Sequence, residues 1–244
     1  MNKRKLKGWI HFLGRTPFHP QWLMRQGHSQ ILKSLGEIGD GNRVVDVGCS
    51  SRWVKNHLPA NCEYIGLDYP ATASEWYGTQ PTIFCDAAKL PIENDVADFV
   101  LMLNMLEHVV DAEIVLSEAC RILKPKGRLI IQVPFLYPLH DEPRDFRRFT
   151  QHGLRKMLER HGMKIRTLHP NGTPMETSVL LANLAISKSV LDWFNRRSPL
   201  VLVGVFLPLL VLAGNLFANA ISRFESKSDF MAFTYHIVAV NEDV

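Results

Sequence analysis

Acidic side chains follow three successive β-type runs of this sequence, each at the end of its run. Asp46 lies in VVDVGCSS, Asp68 ends YIGLD, and Asp86 follows IFC. Because the carboxyl ends of parallel strands meet at one edge of a sheet, we expect the three carboxylates to lie together. Such carboxylates accept hydrogen bonds from ribose hydroxyls and from an exocyclic amine. Each has a plainer interpretation, since Asp68 could cap the next helix and Asp86 could be a turn residue.

The first run ends in a turn that has one glycine where nucleotide-binding turns usually have several. Gly48 lets the backbone approach a ligand closely, but Ser50 and Arg52 stand where further glycines are usual. We expect Ser50, a small residue, to preserve the turn with a negative φ. The turn lacks the GxGxxG order and the chain shows no obvious hydride site, which disfavours a nicotinamide-dependent dehydrogenase.

A second polar stretch, HDEPRDFRRFT at His140–Thr150, follows the fifth β-type run. His140 is the first candidate for a general base, and His108 in NMLEHV is the second. His108 and its neighbour Glu107 could equally cap or pack the helix that follows. Guanidinium groups can hold a phosphate or a carboxylate through paired hydrogen bonds, or they can pair with acids of the same loop. The arginines concerned are Arg144, Arg147 and Arg148.

Alternating strands and helices must position these side chains, and they predict an α/β fold with a mostly parallel sheet covered on both faces. Ala112–Leu123 is helix-competent and is followed by KPKG, and Thr150 can cap another helix that ends at Gly162. The predicted strands are Val44–Val47, Tyr64–Asp68, Ile83–Cys85, Phe99–Leu103, Arg128–Pro134, Lys164–His169 and Tyr235–Asn241.

Taken in order, these segments resemble the class I methyltransferases that use S-adenosylmethionine. The resemblance lies in VVDVGCSS, YIGLDY, FCDAAKLPI, DFVLMLNMLEHV and RILKPKGRLIIQVPF, and it covers about Arg43 to His169. It implies a Rossmann-like, doubly wound, seven-stranded sheet whose last strand is antiparallel. It also implies roles for cofactor-binding residues. The methionine end would be held by Asp46, Gly48, Cys49 and Asn104, the ribose by Asp68, and the adenine by Asp86 and Ala87.

The polar stretch His140–Thr150 is similar to the substrate segment of type 11-like methyltransferases of polysaccharide biosynthesis. This resemblance implies O-methylation of a saccharide or a lipid-linked precursor. His140 or His108 would then remove the acceptor's proton, and the three arginines would bind the acceptor. The alternative is a catalytically inactive binding or scaffold protein that has the same fold and is associated with a membrane. The missing glycine and the apolar segment are consistent with this alternative.

An uncharged apolar segment, Pro199–Ala220, precedes the last predicted strand and is long enough to span a bilayer. A single crossing would separate that strand from its sheet, so we expect a re-entrant or interfacial helical pair. A soluble lid or a dimer contact is the alternative. The predicted domains are a basic amphipathic extension at 1–40, a methyltransferase domain at 41–174 and 226–244, and an apolar helical insertion at 175–225.

Basic residues dominate the start of the chain, where seven lysines and arginines and no acidic residue precede Glu37. This pattern indicates an anionic surface, and we expect a membrane rather than nucleic acid, with a solvated tail as the plain alternative. The four cysteines form no CxxC pair, which predicts free thiols in a reducing cytoplasm. Together with the basic start and the apolar segment, this leads us to expect a peripheral or monotopic location at the inner face of the plasma membrane. We expect no metal site, because the adjacent His140, Asp141 and Glu142 are poorly placed to converge on one ion. The pattern favours no particular oligomeric state.

Overall fold

The computed structural model describes residues 16–225 and 229–242, and this part of the chain divides into two units. We call the first the sheet unit, which comprises Ser29–Phe135, Leu139–His169 and the described residues from Thr234 onwards. We call the second the helical unit, which comprises the described residues up to His28 together with Leu136–Pro138 and Pro170–Phe233. The predicted membrane contact of the first 15 residues lies outside the described residues.

Seven strands form one sheet in the order β3-β2-β1-β4-β5-β7-β6. The pairs β1–β2, β2–β3, β1–β4 and β4–β5 are parallel, whereas β7 is antiparallel to β5. This is the predicted Rossmann-like, mostly parallel sheet with an antiparallel last strand, so the fold prediction is confirmed. The strands are β1 Arg43–Val47, β2 Glu63–Asp68, β3 Ile83–Phe84, β4 Ala97–Leu103, β5 Leu123–Pro134, β6 Met163–Asn171 and β7 Thr234–Asn241.

Five α-helices accompany the strands within the described residues, and short 3-10 or π turns connect several of them. Thr150 caps the third helix by accepting from the amide of Gly153, as the sequence predicts. Asp111 caps the second by accepting from the amides of Glu113 and Ile114. The helices are α1 His28–Leu35, α2 Ala112–Ile122, α3 Gln151–Arg160, α4 Pro174–Asn195 and α5 Leu207–Ile221.

The strands form because their β-branched and aliphatic residues are buried against helices. Val44 of β1 and Leu101 of β4 are fully buried, and Ile31 and Leu35 of α1 pack in the same cluster. Ile38 belongs to this cluster as well. Residues of the stretch assigned to the N-terminal extension therefore contribute to the core of the sheet unit, since their apolar spacing is that of an amphipathic helix.

Strand β5 begins five residues earlier than predicted, at Leu123 rather than at Arg128. Leu123 is paired with Ala97 and Arg128 with Phe99, so the register shifts between these two pairs. The intervening KPKG segment therefore lies inside the strand as an irregularity. Its lysines, proline and glycine suit a helix end equally well, which is why the sequence pattern placed the boundary wrongly.

The helical unit is an antiparallel pair of helices with a small core of its own. A capping box at Thr173 and Glu176 begins α4, and a 3-10 segment at Pro199–Phe206 leads into α5. A Cβ on Gly204 would lie 2.6 Å from Val190, so glycine permits the close approach to α4. The core of this unit consists of Leu23, Leu180, Ala218 and Phe233.

A buried amide pair fixes the register of the two helices. Asn183 donates to the side-chain oxygen of Asn215 at 3.0 Å, and Asn215 donates to the backbone carbonyls of Pro17 and His19. A buried amide without a hydrogen-bond partner destabilises the fold. This network therefore favours the observed alignment of the two helices over alignments shifted along the helix axis, in which the amides would lose their partners.

The buried histidine of β7 makes the stability of the fold depend on pH. His236 is 1% exposed, and its Nε2 lies 2.8 Å from the hydroxyl oxygen of Ser34. Burial and, to a smaller extent, the nearby His169 lower the pKa of His236 to about 4. In the unfolded chain a histidine titrates near its ordinary pKa of about 6.5, so between these values the unfolded state binds more protons.

The free energy of unfolding should therefore fall by about 2 kcal/mol between pH 7 and pH 5 through this residue alone. Urea unfolding followed by circular dichroism at both pH values measures the change, and His236→Gln should remove this part of it. His57→Gln changes an exposed histidine and serves as the matched control. A His236→Gln protein with the full wild-type pH dependence would contradict the assignment.

Candidate active site

Asp46 lies in the middle of the sheet, at the point where the strand order reverses. It pairs in register with Gly66 of β2 and with Leu101 of β4, and ligands of open α/β sheets bind beyond the carboxyl ends of such strands. The Tyr64 hydroxyl donates to an Asp46 carboxylate oxygen at 2.6 Å. Burial raises the pKa of Asp46 to about 6, although the tyrosine hydrogen bond opposes the shift.

The turn after β1 adopts left-handed backbone at three positions, of which only one is glycine. Gly48 has φ 76°, Ser50 has φ 47° and Arg52 has φ 57°. The expectation of a negative φ at Ser50 is therefore wrong: the turn keeps the shape that glycines would give it. A left-handed conformation costs a residue with a Cβ about 1–2 kcal/mol, so other contacts must hold the turn.

The carboxylate of Asp68 is one of these contacts. One of its oxygens accepts from the Ser50 amide at 2.7 Å, and the other accepts from the Tyr69 amide at 2.7 Å. The Thr79 hydroxyl donates to the Ser50 carbonyl at 2.9 Å. Burial raises the pKa of Asp68, and the two amide hydrogen bonds oppose that shift. Asp68 thus joins the turn after β1 to the end of β2, and its remaining lone pairs are available to a ribose.

The other predicted cofactor residues lie at the same edge of the sheet. Asp86 and Asn104 are exposed, and Asn104 has a left-handed φ of 54°. Cys49 is buried, and burial together with Asp46 raises the pKa of its thiol to about 12, which keeps it neutral. Ala87 follows Asp86 in a short turn, in which Asp86 accepts from the amide of Ala88.

A buried carboxylate and two histidines meet directly after β4. The side chain of Glu107 is 0% exposed, and neither of its oxygens has a hydrogen-bond partner among the described residues. Nε2 of His108 lies 3.8 Å and Nε2 of His140 lies 3.9 Å from the same oxygen of Glu107. The two rings stand edge to face with centroids 5.0 Å apart. Burial raises the pKa of Glu107 to about 8 and lowers that of His108.

Both imidazoles are oriented through Nδ1. His108 Nδ1 lies 2.9 Å from the Arg144 carbonyl oxygen, and His140 Nδ1 lies 3.2 Å from a carboxylate oxygen of Asp145. Arg148 also approaches His140 Nδ1, but at 3.5 Å, so the shorter carboxylate contact determines the ring's orientation. Despite its burial, Asp145 has its pKa lowered to about 2 because Arg148 and the His140 amide donate to it.

The three arginines of the loop have different surroundings. Arg144 lies over the ring of Tyr69 at 5.5 Å and near the Thr72 hydroxyl at 3.4 Å, beside the end of β2. Arg148 donates to Asp145, and Arg147 donates to the Val110 carbonyl. Arg144 thus lies next to residues that follow the predicted ribose ligand Asp68. Arg148 makes the ion pair within the loop that the sequence left open, whereas Arg147 donates to a backbone carbonyl.

Sequence reasoning missed several residues of this site. From the sequence, Glu107 is only a residue that could cap or pack the following helix. Asp145 was not selected, since the acids of a mixed loop are not distinguishable by spacing. Tyr64 and Tyr69 carried no signal, because their roles arise from the adjacency of β2 to the turn after β1.

Comparisons with known proteins show the family to which the chain belongs. A family model described as a methyltransferase domain matches residues 21–169, which is more than half of the chain. Demethylmenaquinone methyltransferase of Mycolicibacterium paratuberculosis (strain ATCC BAA-968 / K-10) is 31% identical over 97 residues, 38% of this chain and 42% of that protein. Malonyl-[acyl-carrier protein] O-methyltransferase of Hahella chejuensis (strain KCTC 2396) is 26% identical over 122 residues, 44% of this chain and 42% of that protein.

Among solved structures, Haemonchus contortus phosphoethanolamine N-methyltransferase 2 in complex with S-adenosyl-L-methionine has the same fold. Its TM-score is 0.54 at 18% identity, over 96% of this chain and 60% of that one. The chain spans about two fifths of the length of the curated relatives it matches.

The chain belongs to the methyltransferase domain family, and the family's cofactor is S-adenosylmethionine. The residues present fit that group. The edge of the sheet carries carboxylates from three successive strand ends, and S-adenosylmethionine carries a sulfonium and an amine that such charges attract. Asp46, Asp68 and Asp86 would hold it, and Gly48 would lie against it.

The left-handed turn predicts an unusual response to glycine. Ser50→Gly should raise the free energy of unfolding by about 0.5–1 kcal/mol, because the relief of strain exceeds the added entropy of the unfolded chain. Ser51 has no positive φ, so Ser51→Gly is the matched control and should lower stability by a similar amount. Urea unfolding of both variants tests this. Destabilisation by Ser50→Gly equal to that of the control would contradict the strained turn.

Proposed function

We propose that the protein transfers a methyl group from S-adenosylmethionine to an oxygen of a saccharide or lipid-linked precursor at a membrane surface. The observation that carries this proposal is the arrangement after β4. Asn104, a predicted cofactor residue, directly follows this strand, and the cluster of Glu107, His108 and His140 forms just beyond it. On this proposal, a site for proton removal would lie beside the site for the methyl donor.

On the cofactor side, the chain's residues bind and orient rather than react. Asp68 would accept from the ribose hydroxyls while it holds the Ser50 amide, and Asp86 would accept from the adenine amine. S-adenosylmethionine supplies a methyl group on a positively charged sulfur, so displacement needs alignment more than covalent help. The buried Asp46 would place negative charge near that end of the cofactor.

On the acceptor side, a hydroxyl near Nε2 of His140 or His108 would lose its proton as its oxygen bonds to the methyl carbon. Asp145 holds His140 in the orientation that leaves Nδ1 protonated and Nε2 basic. Arg144 lies beside Tyr69 and Thr72, where it could hold an anionic part of the acceptor. The acceptors in the relatives' names differ from one another, so the acceptor class is inferred from this chain alone.

The membrane part of the proposal is supported by the hairpin of α4 and α5. Pro199–Ile221 has a mean hydropathy of 2.5 over its most apolar window, of which 11% is buried, whereas the core helix of a soluble protein is mostly buried. The turn between the helices exposes Phe194, Leu202 and Val205, with relative exposures of 67%, 75% and 72%. Exposed apolar side chains of this size are typical of membrane or protein contacts.

Charge favours an anionic membrane over a protein partner at this turn. Arg196 and Arg197 are both exposed and lie between the exposed Phe194 and the apolar segment that begins at Pro199. Basic residues next to exposed apolar side chains are typical of segments that lie in the interface of anionic bilayers. The return of the chain to β7 in the sheet supports an interfacial rather than a spanning arrangement.

A catalytically inactive scaffold remains the second candidate because Ser50 and Arg52 depart from the glycine pattern. The turn nevertheless keeps the left-handed conformation at both positions, and Gly48 is retained. The departures therefore change the residues of the turn without changing its backbone shape, which supports cofactor binding.

Asp68→Ala should weaken S-adenosylmethionine binding by roughly 1.5–3 kcal/mol, because hydrogen bonds from the ribose to a charged group are lost. Isothermal titration of the full chain measures the change. Since Asp68 also holds the Ser50 amide, Thr79→Val is the control: it removes another hydrogen bond to the turn without touching the carboxylate. Equal losses in the two variants, or no loss in Asp68→Ala, would rule out the ribose contact.

Flotation with phosphatidylserine-containing liposomes tests the membrane contact. The full chain should float at low salt, and Leu202→Glu with Val205→Glu should abolish flotation because both side chains are largely exposed at the hairpin turn. Arg196→Ser with Arg197→Ser should weaken partitioning about 30-fold, at about 1 kcal/mol per basic residue near an anionic surface.

Ile114→Glu, which places a glutamate on an exposed apolar position of α2, is the control and should float like the parent. A parent protein that stays at the bottom of the gradient and is soluble without detergent would refute the membrane contact. A dimer that the hairpin variants dissociate would identify that surface as a contact between copies instead.

A further inference from the structure

The cluster of Glu107, His108 and His140 has the dimensions of a metal site. One ligand atom from each residue lies within 4.8 Å of the others, and the two imidazole Nε2 atoms are 3.8 and 3.9 Å from one Glu107 oxygen. Ligand atoms bound to one zinc-sized ion at 2.0–2.2 Å are about 3.4 Å apart in tetrahedral geometry. Contraction by about half an ångström along these two contacts would bring the atoms to that spacing.

Glu107 supplies an independent observation that points to a cation. Its side chain is fully buried, and neither carboxylate oxygen has a hydrogen-bond partner within the described part of the chain. Burying a carboxylate without a partner costs several kcal/mol unless a cation or hydrogen bonds compensate it. The histidine nitrogens are too far from it for direct hydrogen bonds, and its own backbone amide and the charge of Arg148 compensate its burial only in part. A cation in the gap between the three side chains would supply the rest.

The histidines are oriented as metal ligands usually are. Ligating imidazoles typically donate Nδ1–H to a carbonyl or carboxylate, which leaves Nε2 to bind the ion. Nδ1 of His108 faces the Arg144 carbonyl at 2.9 Å, and Nδ1 of His140 faces the Asp145 carboxylate at 3.2 Å. Both of these partners can only accept, so Nδ1 carries the proton in each ring and Nε2 is directed toward Glu107.

A fourth group and an opening complete the arrangement. A carboxylate oxygen of Asp141 lies 3.9 Å from Nε2 of His108, and its side chain is 43% exposed. His108 and His140 are only partly buried, so the cluster is accessible from solvent while Glu107 is not. Catalytic ions keep such an accessible position for water or substrate, whereas structural ions are enclosed.

We propose that Glu107, His108 and His140 bind a divalent cation of the first transition row, with Asp141 as the fourth ligand. Two imidazoles and one carboxylate are a donor set that suits Zn²⁺ or Fe²⁺ better than Mg²⁺, which prefers oxygen ligands and retains water. No redox step is involved, so Zn²⁺ is the probe of choice.

The catalytic consequence rests on the proposed function, although the binding of the ion does not. An acceptor hydroxyl bound at the open position would release its proton to water more readily, because a cation stabilises the oxyanion. The oxygen's electron pair then forms the bond to the methyl carbon, and the carbon–sulfur bond breaks with its electrons going to sulfur. Binding of the ion would therefore replace the general-base role that the proposed function gives to His108 and His140: the two imidazoles would act as ligands, and water would accept the proton.

Titration of the untagged full chain with Zn²⁺ after dialysis against EDTA tests the site. We expect one equivalent to bind with a dissociation constant below about 1 µM, and Co²⁺ in its place to give visible absorption bands of a nitrogen- and oxygen-liganded ion. Glu107→Gln and His140→Ala should each weaken binding at least about 100-fold, and Asp145→Asn by about 10–100-fold through His140.

The matched control is His161→Asn, because His161 lies 2.9 Å from Glu113 in a histidine–carboxylate pair elsewhere in the sheet unit. It should leave Zn²⁺ binding unchanged. Glu107→Gln keeps the size of the side chain, and near-UV circular dichroism establishes that each variant is folded. Absent Zn²⁺ binding, or binding that survives Glu107→Gln and His140→Ala, would overturn the proposal. S-adenosylmethionine titration of the same samples reports separately on the proposed function.

Discussion

Two backbone amides, of Ser50 and Tyr69, donate to the carboxylate of Asp68, and this contact joins the turn after β1 to the end of β2. The turn needs such support because two of its left-handed residues carry a Cβ. Tyr64 makes a second link between the same strands by donating to Asp46. The turn after β1 therefore keeps the backbone shape of a glycine-rich turn through side-chain contacts. The geometry of the predicted cofactor site depends on these contacts.

The acceptor half of the site depends on a different contact. The loop after β5 returns to the end of β4, where the Phe146 amide donates to the Glu107 carbonyl at 2.9 Å and the Arg144 carbonyl faces His108. Asp145 and Arg148 hold the loop's histidine within the same network. Residues 107 and 140 are distant in sequence, but this return brings a buried carboxylate and two imidazoles within one ion's reach.

Much of this fold could be predicted from the sequence because its signals are local. Alternating apolar runs indicate the strands, and Thr150 caps a helix where its type suggests. What could not be predicted depends on contacts between distant residues. The positive φ of Ser50 follows from Asp68 across the sheet, and the role of Glu107 follows from a histidine 33 positions later. The start of β5 was predicted wrongly because the residues of KPKG suit a helix end and a strand irregularity equally well.

The central claim is that the carboxyl edge of the sheet binds S-adenosylmethionine. Competitive titration of the full chain with S-adenosylmethionine and NAD tests it most directly, because a dinucleotide-binding site would bind NAD instead. The account predicts one molecule of S-adenosylmethionine per chain, no heat with NAD, and no displacement of the former by the latter. The carboxylates of Asp46, Asp68 and Asp86 attract a sulfonium and an amine and repel a pyrophosphate. Binding of NAD at this edge, or no binding of S-adenosylmethionine by folded protein, would contradict it.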